Sequence, residues 1–402
     1  MQVQAAAHRV QRLATLPAGV HLPEPEIHER AALPQASLPL LAPVGGSSVR
    51  LLVDEGEVLP EMLAAARAAQ RSIDLTMFSL ADSGAGRELI DALVERSRSG
   101  VDVRVTVDQV GSAILPVGDG RAMQRRLEDA GVEFAVNRRI DGGRLNPVDH
   151  RKLMVVDDEV AFTGGMNFSK KFGDWHDVMV RVDGPAAARL GAHFVDRWVD
   201  LVGPGATTRR TSPPPSSPAV AQAGEGVALL ANFPGRDLHA SDHLLENLGK
   251  ARDRAWILTP TLSDPAVVDA LTDAARRGVD TRVAVSGPEG WIGTRALRLV
   301  GSTYYRELVN AGVKVYEQPG MSHAKVSLVD DVASVGSLNM TRRAMLWDHE
   351  LQLASDRRPF VEQVERLFET DFAASTLVDR DRANSAAHRI GETVRRGTGL
   401  KW

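Results

Sequence analysis

The chain has 402 residues, 43% hydrophobic and 25% charged, which fits a soluble globular protein with room for two domains, each burying its own core. A formal net charge of −4 argues against a strongly basic groove-binder for nucleic acid, although a local basic patch is compatible with that average. The absence of cysteine excludes disulfides, thiolate catalysis and cysteine-bound zinc.

From Met1 to Glu29 charges and prolines are scattered, and no apolar run has the length of a secretory signal. No stretch reaches the roughly 18 consecutive apolar residues that span a bilayer. The expectation is a cytoplasmic protein without signal peptide or transmembrane helix, in peripheral contact with the inner face of a membrane. Residues 1–48 are Pro-rich and lack periodicity, so they read as an N-terminal arm.

Residues 49–202 form a first half. A helical pattern over Met62–Gln70 leads to the apolar strand Ile73–Phe78. Helix Arg87–Arg98 follows, closed by Gly100, then the alternating strand Val101–Val105. Helix Arg121–Ala130 ends at Gly131, before strand Val132–Val136. Residues 203–226 collect Gly, Pro, Ser and Thr, including Pro213-Pro214-Pro215, and read as a linker.

The second half, 227–375, repeats this order. A helix ends near Ala251, followed by strand Trp256–Leu258, helix Ala266–Arg277, Gly278 and strand Val279–Val285. Helix Thr303–Ala311, Gly312 and strand Val313–Tyr316 complete it. The words GVDVRV and GVDTRV, and LEDAGVEF and LVNAGVKV, occupy matching places, so an internal duplication is the economical explanation. Strands alternating with helices predict an α/β fold, each half a mixed, mainly parallel sheet covered by helices on both faces. Residues 376–402 read as a polar C-terminal tail.

Each repeat ends in the same chemical phrase. The first copy has His150, Lys152 and Asp157, followed by Gly164-Gly165-Met166-Asn167. The second has His323, Lys325 and Asp330, followed by Gly336-Ser337-Leu338-Asn339. Branched apolar residues between Lys and Asp predict a buried strand, and its period of two sets each His and its Lys on one face. One match can arise by chance in a chain with 11 histidines; two, at the ends of two repeats, are a strong signal. Five residues separate Asp330 from Gly336, against six between Asp157 and Gly164, which requires a tighter turn at Asp330-Asp331.

These residue types suit phosphodiester chemistry. A phosphodiester is an anion that repels nucleophiles, so fixed positive charge is needed around its non-bridging oxygens. Lys152 and Lys325 supply it, with Asn167 and Asn339 as further hydrogen-bond donors, and Ser337 joins the set that supports phosphate binding and histidine orientation. One imidazole must be neutral to attack phosphorus, and the other must be protonated to hand a proton to the departing alkoxide. No HExxH or carboxylate cluster is present, and no metal or other cofactor is expected.

A histidine used in this way needs its far nitrogen held by a carboxylate. Asp177 follows His150 by 27 residues and Glu350 follows His323 by the same interval, which favours these two as orienters. Asp157 and Asp330 fall at the far end of the strand from their histidines, about 3.3 Å per residue away, where a structural role at the turn is favoured.

The doubled motif resembles the HKD motif of the phospholipase D superfamily. The wider wording, DHRKLMVVDDEVAFTGGMN, YYRELVNAGVKVYEQPGMSHAKVSLVDD and the HELQL after the second motif, is similar to its bacterial cardiolipin synthase branch. The resemblance runs from about Val49 to Ala374. It implies a phospholipase D-like fold of two pseudo-twofold-related halves with one site at their interface. It implies a phosphatidyl-histidine intermediate and an alcohol acceptor such as glycerol or phosphatidylglycerol. By the same resemblance Asp157 and Asp330 join His150, Lys152, His323 and Lys325 in the catalytic set. His150 is then the nucleophile and His323 the general acid and base.

The partner expected is a phospholipid such as phosphatidylglycerol, with no nucleic acid. A hydrolase of lipid or nucleic acid, or a non-catalytic scaffold, are the other classes considered; two intact motifs argue against the scaffold. Gly290-Trp291-Ile292-Gly293 and Tyr304-Tyr305 are candidates for lipid contact, with packing the competing reading. Arg138 and Arg139, near the first motif, are candidates to meet a phosphate headgroup, with a solvated basic pair the favoured reading, and His176 and His349 read as surface or packing residues. Trp175, Trp198 and Trp347 are assigned to the core.

Overall fold

The structure is a computed structural model that describes residues 44–115, 117–141, 144–203, 226–287 and 298–398. Nearly all of the N-terminal arm, most of the linker and Gly290–Gly293 therefore lie outside the described residues.

The first half contributes strands β1 (Ser48–Val53), β2 (Ser72–Met77), β3 (Asp102–Asp108), β4 (Glu133–Asn137), the short hairpin β5 (Ile140–Asp141) and β6 (Arg144–Leu145), β7 (Lys152–Val156), β8 (Val160–Gly164) and β9 (Val178–Asp183). Except for the hairpin, they form one sheet in the order β1-β9-β8-β7-β2-β3-β4. The second half contributes β10 (Val227–Phe233), β11 (Asp237–Leu238), β12 (Arg254–Thr259), β13 (Asp280–Val285), β14 (Lys314–Glu317), β15 (Val326–Val329), β16 (Val332–Gly336), β17 (Glu350–Ser355) and β18 (Thr376–Leu377). Their order is β11-β10-β17-β16-β15-β12-β13-β14-β18. Without the two short edge strands, this is the first sheet repeated strand for strand.

The expected balance within each sheet needs correction. Only β2-β3 and β3-β4 are parallel in the first sheet, and only β12-β13 and β13-β14 in the second. Every other pairing is antiparallel, because the strand after each motif turns back through a hairpin instead of crossing over a helix. The sheets are mixed and mainly antiparallel.

Period-two alternation on the motif strand divides its side chains between two cores. Leu153 and Val155 enter a central core, which also takes Val326 and Leu328 from the second half. Met154 and Val156 enter an outer core under helices Asp54–Ala68 and Ala85–Arg98. Helices Pro185–Val202 and Arg358–Ala374 supply Phe194, Trp198, Phe360 and Phe368 to the central core. Both faces of each sheet are thus covered, and the two halves share one buried interior.

Local differences have physical causes. The first helix starts at Asp54 rather than Met62, although Gly56 and Pro60 are poor helix formers. Burial of Val58, Leu59, Met62 and Leu63 outweighs that propensity. Tyr304 and Tyr305 are buried, and Tyr305 donates its hydroxyl to Glu317 at 3.0 Å, so packing accounts for them. The segment read as a tail adds β18 to the sheet edge and continues into helix Ala386–Thr398, where buried Glu392 pairs with Arg306 at 2.7 Å.

Asp157 and Asp330 close the motif strands. Asp157, at φ 54°, accepts the backbone N–H groups of Gln70, Arg71 and Ser72 at 2.7–2.8 Å. Asp330, at φ 49°, accepts those of Arg252, Asp253 and Arg254. Three residues join β7 to β8, whereas Asp330-Asp331 alone join β15 to β16, the tighter turn that the shorter spacing demands. Both acids therefore fasten the strand to its neighbour at the end away from the histidines, and the structure corrects their place in the catalytic set. Replacing Asp157 by Ala should lower unfolding free energy by about 2–3 kcal/mol, because three donors lose a charged acceptor. Urea unfolding measures this; unchanged stability with about a thousandfold loss of kcat/KM would instead make Asp157 a catalytic acid.

Candidate active site

β7 begins at Lys152, paired with Met77 at the end of β2, so His150 stands just off the sheet where the parallel strands finish. Its lead-in pairs with the other half. The His150 amide donates to the His349 carbonyl at 3.0 Å, and the His349 amide donates to Val148 at 2.9 Å. The second copy does the same: His323 donates to the His176 carbonyl at 2.7 Å, and His176 donates to Met321 at 3.0 Å. Each motif histidine is thereby held against the residue that precedes the opposite half's carboxylate.

The side chains follow the backbone. His323 Nδ1 lies 2.7 Å from Asp177 Oδ2. His150 Nδ1 lies 3.1 Å from Glu350 Oε1 and 3.1 Å from the Ser337 carbonyl. The two carboxylates that equal sequence intervals favoured as orienters both lie against a motif histidine, and each faces the histidine of the opposite half. With Nδ1 donating, each Nε2 carries the ring's lone pair. The two rings are 6.5 Å apart between centroids, a gap that fits one tetrahedral phosphate.

Lys152 and Lys325 are fully buried, and each donates Nζ to the carbonyl of its own histidine, at 2.5 Å for Lys152. Burial lowers them to about 8 and about 7 respectively, against the nearby carboxylates. Burial, followed by the charge of Lys152, holds the His150 imidazole well below its ordinary range. Burial and Lys325 push His323 down to about 3, although Asp177 opposes them. Burial also raises Glu350 to about 8. Asp177 behaves oppositely: burial resists its ionisation, but His323 and Lys325 outweigh it and keep the carboxyl below its usual range. A bound phosphodiester adds negative charge between the lysines and raises the affinity of both imidazoles for protons.

The carboxylate seats differ. A Cβ on Gly165 would fall 2.2 Å from Asp177 Oδ1, so only glycine leaves room for Asp177. The matching Ser337 instead donates its hydroxyl to Glu350 and accepts the Leu351 amide at 3.0 Å. Asn167 accepts the Ser79 amide through Oδ1 at 3.2 Å, which leaves its NH2 end to donate; Asn339 is half-buried at the matching place.

Two aromatic walls were missed in sequence. Phe78 lies 4.8 Å from the His150 ring and 5.0 Å from Lys152 Nζ. Trp175, assigned to the core, is half-buried with its ring 5.4 Å from His323. Trp198 is buried as expected, and Trp347 is half-buried. Phe78 had a usable signal, since it ends the strand that neighbours the motif strand; Trp175 had only its proximity to Asp177.

His176 is more than a packing residue. Its ring bridges Asp54 at 2.8 Å and Asp371 at 3.3 Å, one carboxylate from each half. Although burial opposes it, these two carboxylates raise the imidazole to about 10. The folded value lies above the unfolded one, so the stabilisation is complete below about pH 6.5 and disappears as pH rises through about 10. The Tm difference between the native protein and His176→Gln should be largest near pH 6 and vanish above about pH 10. A difference independent of pH would contradict a charged bridge.

Residues 62–198 and 244–372 match the family described as "Cardiolipin synthase, PLD-like domain". The chain is 32% identical over 389 residues to cardiolipin synthase A of Pseudomonas syringae pv. syringae (strain B728a), covering 91% of this chain and 77% of that one. Cardiolipin synthase A of Pseudomonas aeruginosa (strain UCBPP-PA14) is 32% identical over 348 residues, covering 83% and 68%. Among solved structures, phosphatidylserine synthase of Haemophilus influenzae Rd KW20 superposes with a TM-score of 0.71 at 14% identity, covering 90% of this chain and 96% of that one, a likeness of fold.

Proposed function

The chain belongs to the cardiolipin synthase family of phospholipase D-like proteins, and from that premise we propose that it transfers a phosphatidyl group from a phospholipid to an alcohol, phosphatidylglycerol or glycerol, through a covalent phosphatidyl-histidine. The observation that carries this reading is the pair of imidazoles 6.5 Å apart, each fixed through Nδ1 and flanked by a buried lysine.

His150 suits the nucleophile, because burial and two lysines keep its Nε2 unprotonated. His323 suits the general acid, because ionised Asp177 stabilises the imidazolium that the bound phosphodiester promotes. His150 Nε2 attacks phosphorus; the P–N bond forms as the P–O bond to the departing alcohol breaks, and His323 gives that oxygen its proton. His323 then takes the proton of the incoming alcohol, whose oxygen attacks phosphorus and displaces His150. Lys152, Lys325, Asn167 and Asn339 hold the non-bridging oxygens throughout. Glu350 with Ser337, and Asp177 with Gly165, orient the rings. The same route with water gives hydrolysis.

A phospholipid substrate requires access to a membrane, and we take the contact to be peripheral. Among the described residues no helix is long and apolar enough to cross a bilayer.

Label from a phosphatidylglycerol carrying labelled phosphate should remain on the protein after denaturation without acid, and His150→Ala should abolish it. Label that persists in His150→Ala and is lost in His323→Ala would exchange the two roles. Removing His323 should cost about 10²–10⁴ in turnover, the ordinary worth of a general acid.

The pH dependence of kcat/KM should be bell-shaped, with limits that belong to the coupled groups. The alkaline fall should begin at about pH 7, where Lys325 loses its proton, continue through about pH 8 as Lys152 follows, and be carried by KM, as the two lysines lose the charge that attracts phosphate. A KM that stays constant to about pH 10 would contradict the lysines' role.

A further inference from the structure

Two guanidinium groups converge on the segment that leads into the first motif. Arg139, from the first half, donates Nη1 to the Asn146 carbonyl, and its amide donates to Gln109 Oε1 at 2.9 Å. Arg343, from the second half, sits 3.1 Å from the Asp348 carboxylate, which accepts the Val148 amide at 3.3 Å. Asn146 and Val148 lie four and two residues before His150, so both arginines are fixed at its approach.

The two guanidinium groups are partnered differently. Among the described residues no carboxylate forms an ion pair with Arg139, which is half-buried, while neighbouring Arg138 is exposed. Burial and the charge of Arg343 both press Arg139 toward its neutral form, and Arg343 also acts on His150. Asp348 pairs with Arg343, while Asp348 and Asp108 act on Arg139 in the opposite sense without forming an ion pair with it. A half-buried guanidinium without a paired carboxylate, beside an exposed second one, is a seat that an incoming anion completes. The two lysines cannot serve, because the reacting phosphate occupies them.

We infer that Arg139 and Arg343 form a second anion subsite beside His150, which takes the phosphodiester of an acceptor alcohol that is itself a phospholipid. The inference rests on the phosphatidyl-transfer reading. An acceptor of this kind carries its own negative charge a short linker away from the attacking hydroxyl, and needs a countercharge other than the lysines. Guanidinium groups suit it, because their planar donors grip two phosphate oxygens at once. A neutral acceptor, glycerol or water, gains nothing from the site. These arginines would then set the choice of acceptor and take no part in the chemical step.

The test offers phosphatidylglycerol in detergent micelles together with labelled glycerol, and counts two products: cardiolipin, and phosphatidylglycerol that has taken up label. In Arg139→Gln and Arg343→Gln the ratio of cardiolipin to exchanged glycerol should fall about ten- to a hundredfold, and Arg343→Lys should recover part of it. Arg343 also anchors Asp348, so its loss can disturb the fold; Arg139, which holds a single carbonyl by its side chain, keeps the test decisive. An unchanged ratio, or an equal fall in both products, would overturn the subsite. Absence of both products from the unaltered protein would overturn the transfer reading itself.

Discussion

The site depends on an exchange of hydrogen bonds between the two halves. Each motif histidine takes its backbone partner and its carboxylate from the opposite repeat: His150 from His349 and Glu350, His323 from His176 and Asp177. Among the described residues, neither half pairs its own motif histidine with one of its own carboxylates. The shared central core, with Leu153 and Val155 facing the same interior as Val326 and Leu328, makes the exchange possible by bringing the ends of both motif strands together.

The electrostatics follow from this meeting. Two lysines with no exposure are expensive to bury as cations, and their lowered values near neutrality are the sign of that cost. Asp177 and Glu350 offset it only in part, and Glu350 is itself raised by burial. The resting site therefore holds positive charge that a phosphodiester anion completes. In the mechanism we propose, the same field keeps His150 unprotonated for attack, while the anion restores to His323 the proton that departure of the alcohol requires. Asymmetry between the halves, Gly165 with Asp177 and Ser337 with Glu350, gives the two histidines different partners from one duplicated scaffold.

Much of this was legible in the residues. The duplication, most helices and strands, both His and Lys pairs and the tighter turn at Asp330-Asp331 were fixed by local periodicity and by repeated words. The turn role of Asp157 and Asp330 was legible from strand length, although the resemblance also placed them in the catalytic set. What escaped was the relation between the halves. An interval of 27 residues measures distance along the chain, and a pseudo-twofold axis exchanges partners without altering any spacing. The antiparallel majority escaped too, because the helix–strand alternation early in each repeat was extended to the whole sheet, although the turn after each motif is too short for a crossover. Trp175 and Phe78 were obscured because an aromatic residue has the same sequence signature in a core and on a site wall.

The crossed pairing is tested most directly by the 15N resonances of the two imidazoles in Asp177→Asn. The account predicts that the Nδ1 signal of His323 moves as its 2.7 Å partner loses charge, while that of His150 stays in place. A shift at His150 with His323 unmoved would mean that each carboxylate serves its own half, and would contradict the arrangement on which the mechanism stands.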